Sequence, residues 1–209
     1  MRITWLGHSC FQLEKDGFVI ILDPYGDGTV PGLGSVRETA DLVLCSHEHG
    51  DHNGRDCVAL REGKENPFTI TQLASYHDEV QGKKRGNNLI TIVDDGTAKA
   101  AHMGDIGCPL DSEQVQKLQG LDVLLIPVGG FFTIDAAEAA QMVKQLKPKY
   151  VVPMHFRNDA QGFGFDMIQT VEEFTKRMDD VAVLPGSELD TDEVYPSDVL
   201  VLQPRNVVK

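Results

Sequence analysis

Residues 46 to 52 read Ser-His-Glu-His-Gly-Asp-His, so three of the chain's seven histidines and an aspartate fall within one short segment. Imidazole and carboxylate together are a standard donor set for zinc and related divalent ions. In an extended backbone, residues two apart point the same way, so His47 and His49 can grip one cation together. Gly50 then lets the chain turn, which directs Asp51 and His52 at a second point a few ångströms on. That pattern suits two ions side by side better than one closed cage. A solvated histidine run or a purification tag is the alternative. It fits poorly, because the motif lies mid-chain, after the apolar run Asp41-Leu-Val-Leu-Cys-Ser46, which would deliver the histidines to a sheet edge.

The remaining histidines, His8, His77, His102 and His155, each fall at or next to the end of a predicted strand. A lone histidine is more often a structural residue than a ligand, but side chains at several strand ends can converge on one edge. Asp105, in His102-Met-Gly-Asp105, is a candidate carboxylate for bridging two ions, or else a turn cap.

The 209 residues suffice for one substantial core, so a single domain over 1–209 is the economical reading. No apolar stretch approaches the roughly 20 residues that a membrane span needs. The N-terminus turns polar too early for a secretory signal, and a cytoplasmic location is expected. The four cysteines, at 10, 45, 57 and 108, lack CxxC spacing and are expected to be reduced. A formal charge of -13 argues against nucleic acid or an anionic membrane as partner, yet it leaves room for a small anionic metabolite and for a homo-oligomer. The one local exception is Gly82-Lys-Lys-Arg-Gly86, which is either a solvated loop or a place for negative charge.

Strand patterns cover Ile3–Trp5, Cys10–Glu14 and Phe18–Leu22, with Asp16-Gly17 as a hairpin turn. A Gly- and Pro-rich loop follows from Asp23 to Gly34. Pro67–Gln72 and Leu73–His77 read as two strands. Leu89–Val93 and Ala98–Met103 flank the turn Asp94-Asp-Gly96. Asp111–Leu118 reads as a short helix capped by Asp111 or Ser112, and Leu121–Ile126 as a buried strand. Thr133 is the expected cap of a helix through Leu146, stopped by Pro148. Tyr150–Val152 is a strand, and Met167–Met178 a further helix. Hairpins first, then strands alternating with helices, imply layered sheets flanked by helices, an α/β (α+β) arrangement.

His47-x-His49-x-Asp51-His52, followed by His77, Asp105 and His155, resembles the metallo-β-lactamase superfamily. The resemblance implies an αββα sandwich of two mixed sheets with the metal site at their edge. By it, His47, His49 and His77 would hold one metal and Asp51, His52 and His155 a second, with Asp105 bridging and Asp23 bracing the histidine loop. More narrowly, Leu6-Gly-His-Ser-Cys10, Asp23-Pro-Tyr25, His77-Asp78, Arg85-Gly-Asn-Asn88, His102-Met-Gly-Asp-Ile-Gly107 and Pro153-Met-His155 resemble the branch containing L-ascorbate-6-phosphate lactonase. His77 departs from the superfamily's usual Gly-His-Thr setting.

The implied activity is hydrolysis by water activated at two divalent ions, Zn²⁺ or Mn²⁺ with Fe²⁺ as a further option. Asp51 would be the catalytic carboxylate. Arg85, Asn88 and Arg157 are candidates for binding an anionic substrate, such as a sugar-phosphate lactone or phosphoester. His8 and His102 would either hydrogen-bond the ligands or protonate a leaving group. The alternatives are a metal-bearing binding or sensor protein without turnover, and a nuclease of the same superfamily.

Overall fold

A computed structural model describes residues 1–208. In chain order it contains β1 (Arg2–Gly7), β2 (Cys10–Lys15), β3 (Phe18–Leu22), β4 (Thr39–Ala40), β5 (Leu42–Leu44), β6 (Ala59–Leu60), β7 (Thr69–Tyr76), β8 (Asn87–Asp94) and β9 (Lys99–His102). There follow α1 (Ser112–Lys117), β10 (Val123–Pro127), α2 (Ala136–Leu146), β11 (Tyr150–Met154), α3 (Glu172–Thr175), β12 (Val181–Val183), β13 (Glu188–Asp190) and β14 (Val199–Val201).

Two sheets carry the architecture. One has the order β13-β1-β2-β3-β5 and the other β12-β14-β11-β10-β9-β8-β7, while β4 and β6 form a small separate pair. A single buried cluster joins them: the Trp5 ring lies 5.3 Å from that of Phe156, and Phe11 lies 5.9 Å from His102. Every residue of β10 and β11 is buried, as expected for central parallel strands covered on both faces. This is a sandwich of two mixed sheets, with only one helix longer than two turns among the described residues.

The strand directions explain where the histidines go. In the first sheet, β2 runs antiparallel to β1 and β3, and β5 runs parallel to β3, so β1, β3 and β5 share one direction. In the second, the antiparallel pairs β7·β8 and β8·β9 and the parallel pairs β9·β10 and β10·β11 give β7, β9, β10 and β11 a common direction. His8, Asp23, the 46–52 segment, His77, Asp105 and His155 each follow the C-terminal end of one of these strands. Their loops therefore gather on one edge of the sandwich.

The hairpin turns form where the turn residues lie. Asp16 and Gly17 both have positive φ, 52° and 75°, as a two-residue turn between β2 and β3 requires. Asp111 caps α1 through a reciprocal capping box with Gln114.

Three expectations need correction. The segment read as two strands over 67–77 is one strand, β7, in unbroken register with β8. It is a sheet edge whose burial does not alternate cleanly, so the sequence carries no clear period. The cap of α2 is Asp135, not Thr133: the Asp135 carboxylate accepts from Ala137 N and Glu138 N, while Asp135 N donates to Glu138 Oε2. A carboxylate in a capping box satisfies more orphan N–H groups than a hydroxyl, and Thr133 donates instead to Ile134 O. The helix expected over 167–178 shrinks to Glu172–Thr175, because Gln169 N donates to Gly129 O and Gln169 O accepts from Arg157 N. Those groups are committed to neighbouring chain and leave no helical ladder. Strands β12, β13 and β14 lie in a stretch for which the sequence pattern assigned no elements.

No helix among the described residues is long and apolar enough to cross a membrane.

Candidate metal centre

Asp105 occupies the middle of the gathered loops. Its Oδ2 lies 3.1 Å from His52 Nε2, 3.2 Å from His155 Nε2, 3.3 Å from His77 Nε2 and 4.0 Å from His47 Nε2. Around it the donors form three overlapping groups whose atoms lie within 4.8 Å of one another: His47, His49 and His77; His8, Asp51, His52 and His155; and Asp23, His47 and His52, which links the first two.

Asp23 sets the orientation of two rings. Its carboxylate accepts from Ser46 N at 2.6 Å and from His52 Nδ1 at 2.7 Å. Ser46 Oγ donates to Asp23 Oδ2, so its lone pairs are free to accept from His47 Nδ1, 2.9 Å away. Both imidazoles are thereby held by Nδ1 with Nε2 turned inward. This is how partners behind a metal ligand fix its tautomer.

The backbone supports the same geometry. Gly104 has φ 57°, and a Cβ there would sit 2.2 Å from Asn88 Oδ1 and 2.6 Å from Ser46 Cβ. Only glycine allows Asp105 to approach so closely. His8 and His155 are both held at φ 52°, a left-handed conformation uncommon for histidine, and such strain concentrates at functional sites.

Burial and charge act together here. Burial, then the neighbouring His52, pulls His47 down to about 3, and burial followed by His155 pulls His8 to about 4. Both are neutral imidazoles, as a metal ligand must be. Burial opposes a charge on Asp105, but His155 and His52 outweigh it and hold the carboxyl well below the usual carboxylate range. Burial likewise opposes ionisation of Asp51, yet His8 and His52 outweigh it and keep that group ionised as well.

The residues fit divalent ions on one direct observation. His8 Nδ1 and Nε2, His47 Nε2, His52 Nε2, His77 Nδ1, Asp105 Oδ1 and both His155 ring nitrogens are buried without a hydrogen-bond partner. Buried polar atoms are rarely left so, and their concentration in one cluster of imidazoles and carboxylates fits a bound cation.

The structure places other expected residues elsewhere. Asn88 is buried completely and spent on the protein itself: Nδ2 donates to Ser75 Oγ and Met103 O, and Oδ1 accepts from Asp105 N. It positions Asp105 and has no hydrogen-bonding capacity left for substrate. Arg157 is paired with Asp159 at 2.7 Å and donates to Asp166 O, so its charge is already neutralised. His102 accepts from Gly104 N at Nδ1 and donates from Nε2 to Ser9 O at 2.8 Å, which ties the two sheets together and removes it as a proton donor to substrate. Glu48, inside the motif, turns outward to Arg55 at 2.9 Å.

Of the basic loop, only Arg85 reaches the site. Asp78 shapes that loop by accepting backbone N–H bonds from Val80, Gly82, Lys84 and Arg85. Arg85 then lines a cavity of about 540 Å³ with Thr29, His49, Gly50, Asp51, Phe132 and Phe165. Phe132 and Phe165 were missed in the sequence, where each lies just after glycines and outside any periodic pattern. His8, expected to hydrogen-bond the ligands or protonate a leaving group, has Nε2 3.3 Å from Asp51 Oδ2 and falls within the second donor group.

Residues 2–155 match the family described as "Beta-lactamase superfamily domain". A UPF0173 metal-dependent hydrolase of Carboxydothermus hydrogenoformans is 31% identical, with 75% of this chain and 84% of that protein covered. A UPF0173 metal-dependent hydrolase of Methanopyrus kandleri is 29% identical, with 88% and 94% covered. Among solved structures, a candidate Zn-dependent hydrolase of the metallo-beta-lactamase superfamily from Thermotoga maritima superposes with TM-score 0.75 at 30% identity, covering 96% of this chain and 97% of its own.

Proposed function

Because this chain belongs to the metallo-β-lactamase superfamily and is a metal-dependent hydrolase, we propose that it holds two divalent ions and hydrolyses a small anionic ester, a lactone or a phosphoester. His47, His49 and His77 would hold one ion and Asp51, His52 and His155 the other, with Asp105 between them. The observation that carries this reading is the position of Asp105 Oδ2, within 4.0 Å of four imidazole nitrogens from both donor groups.

Ions bound there supply Lewis acidity and bring the ionisation of water close to neutral pH. The protein's part is positional. An ionised Asp51, at the rim of the second group, suits holding a cation and orienting the attacking water better than carrying a proton away. Asp23 and Ser46 keep His52 and His47 in the tautomer that offers Nε2. Asn88 fixes the backbone of Asp105, and Arg85 meets negative charge at the cavity mouth. Hydrolysis adds water across the ester bond: its OH stays on the acyl or phosphoryl group, and its proton ends on the leaving oxygen.

Zinc, manganese and iron(II) all accept this mixed nitrogen and oxygen donor set. The motifs Leu6-Gly-His-Ser-Cys10 and Pro153-Met-His155 support the lactonase-like branch of the superfamily. The test is metal analysis of the purified protein together with a turnover screen over lactones and phosphoesters. Chelation should abolish turnover and Zn²⁺ or Mn²⁺ should restore it. Full activity in rigorously metal-free protein would overturn the reading.

A further inference from the structure

We propose that the substrate is a monoanionic ester with a flat, apolar body, its body held against Phe132 and Phe165 and its single charge met by Arg85. The inference rests on the hydrolase reading and specifies what that site accepts.

Three observations carry it. The wall of the cavity beside the donor groups is aromatic: the Phe132 and Phe165 rings lie 5.9 Å apart, edge to face, with Phe165 5.5 Å from His8 and Phe132 6.4 Å from His155. Rings so placed offer apolar area and the edge-to-face contacts that favour another flat group, whereas a sugar would leave its hydroxyls facing carbon.

The second observation is charge. Among the described residues, Arg85 is the only arginine with no carboxylate within 4.0 Å; the others pair with Glu14, Asp27, Glu48, Asp41, Asp159, Glu173, Glu38 and Glu188. No lysine lines the same cavity. One free guanidinium suits one negative charge, as a carboxylate or the diester form of a phosphate.

The third is that the protein holds Arg85 in place. Its Nη2 donates to Phe131 O at 2.9 Å, and its guanidinium lies 5.8 Å from the Phe132 ring centre. Phe131 adopts φ 60° to present that carbonyl, directly after Gly130 at φ 65°. A left-handed phenylalanine costs energy, and it is tolerated where it fixes the cation and the aromatic wall relative to each other.

The test separates body from charge. Metal-free protein is titrated calorimetrically with diphenyl phosphate, dimethyl phosphate and glucose 6-phosphate. The metal-loaded protein is assayed on bis(4-nitrophenyl) phosphate and methyl 4-nitrophenyl phosphate, which share a leaving group and a charge. Diphenyl phosphate should bind at least about tenfold more tightly than dimethyl phosphate, and the bis-aryl diester should be preferred in kcat/KM by a similar factor. Phe132→Ala and Phe165→Ala, at half-buried positions outside the core, should each shrink the preference, and Phe132→Leu should restore part of it. Arg85→Ala should weaken both diesters alike. Equal binding of the two diesters, tighter binding of glucose 6-phosphate, or a preference untouched by either phenylalanine substitution overturns the inference. Retained aromatic binding without turnover of any ester, by contrast, overturns the hydrolase reading and leaves the aromatic site standing.

Discussion

His8 Nε2 lies 3.3 Å from Asp51 Oδ2, and neither nitrogen of this buried ring has a hydrogen-bond partner. It stands as near the second donor group as the residues of the sequence motif do. At the proposed two-ion site, His8→Ala is expected to weaken binding of the ion beside Asp51 by about 10- to 100-fold, the usual consequence of losing a ligand's direct partner. The first ion, among His47, His49 and His77, should be retained. Calorimetric titration and elemental analysis check this; unchanged stoichiometry and affinity for both ions would count against it.

Asn88 gives a different signature. Replacing it by Ala removes the acceptor of Asp105 N and the donor to Ser75 Oγ and Met103 O. A cost of about 1–3 kcal/mol in stability is expected. Because the side chain has no access to the cavity, kcat should fall while KM stays close to its original value. A large rise in KM with kcat preserved would return Asn88 to the substrate.

Acid sensitivity should trace in part to Asp95. Burial opposes its ionisation, but bonds from Thr97 and Ala98 and the ion pair with Lys15 at 3.3 Å outweigh it, so its carboxyl is held below the usual range. A depressed carboxyl contributes stability above the unfolded value, about 3.9, and loses it as the pH falls through the folded one. Asp95→Asn should therefore cost about 1–3 kcal/mol near neutral pH. The gap from the parent protein should narrow below roughly pH 4. Thermal melts of both proteins across pH 3 to 7 measure it, and a gap independent of pH would contradict the assignment.

Burial pushes the Cys45 thiol up to about 12 and Cys10 well above its ordinary value. The thiolate is the reactive form, so neither should be labelled by a thiol reagent at about pH 8 while the protein is folded. Unfolding should expose all four cysteines. Rapid native labelling at position 10 or 45, located by peptide mapping, would contradict the burial.

Much of this could be read from the chain because it is local. Donor types at positions 47, 49, 51 and 52, turn chemistry at Asp16-Gly17 and Asp94-Asp-Gly96, and a helix cap at Asp111 or Ser112 are each set within a few residues. So is the placement of His8, His77 and His155 at strand ends. The sequence therefore determined the kind of chemistry and the class of fold. Whether Arg85 or Arg157 keeps a free charge, whether Asn88 faces substrate or braces Asp105, and whether His8 stands behind the ligands or among them depends on partners far away in the chain. Those were decided by strand direction and sheet packing. A side chain's chemistry is intrinsic, but its remaining valence is whatever the fold leaves unspent.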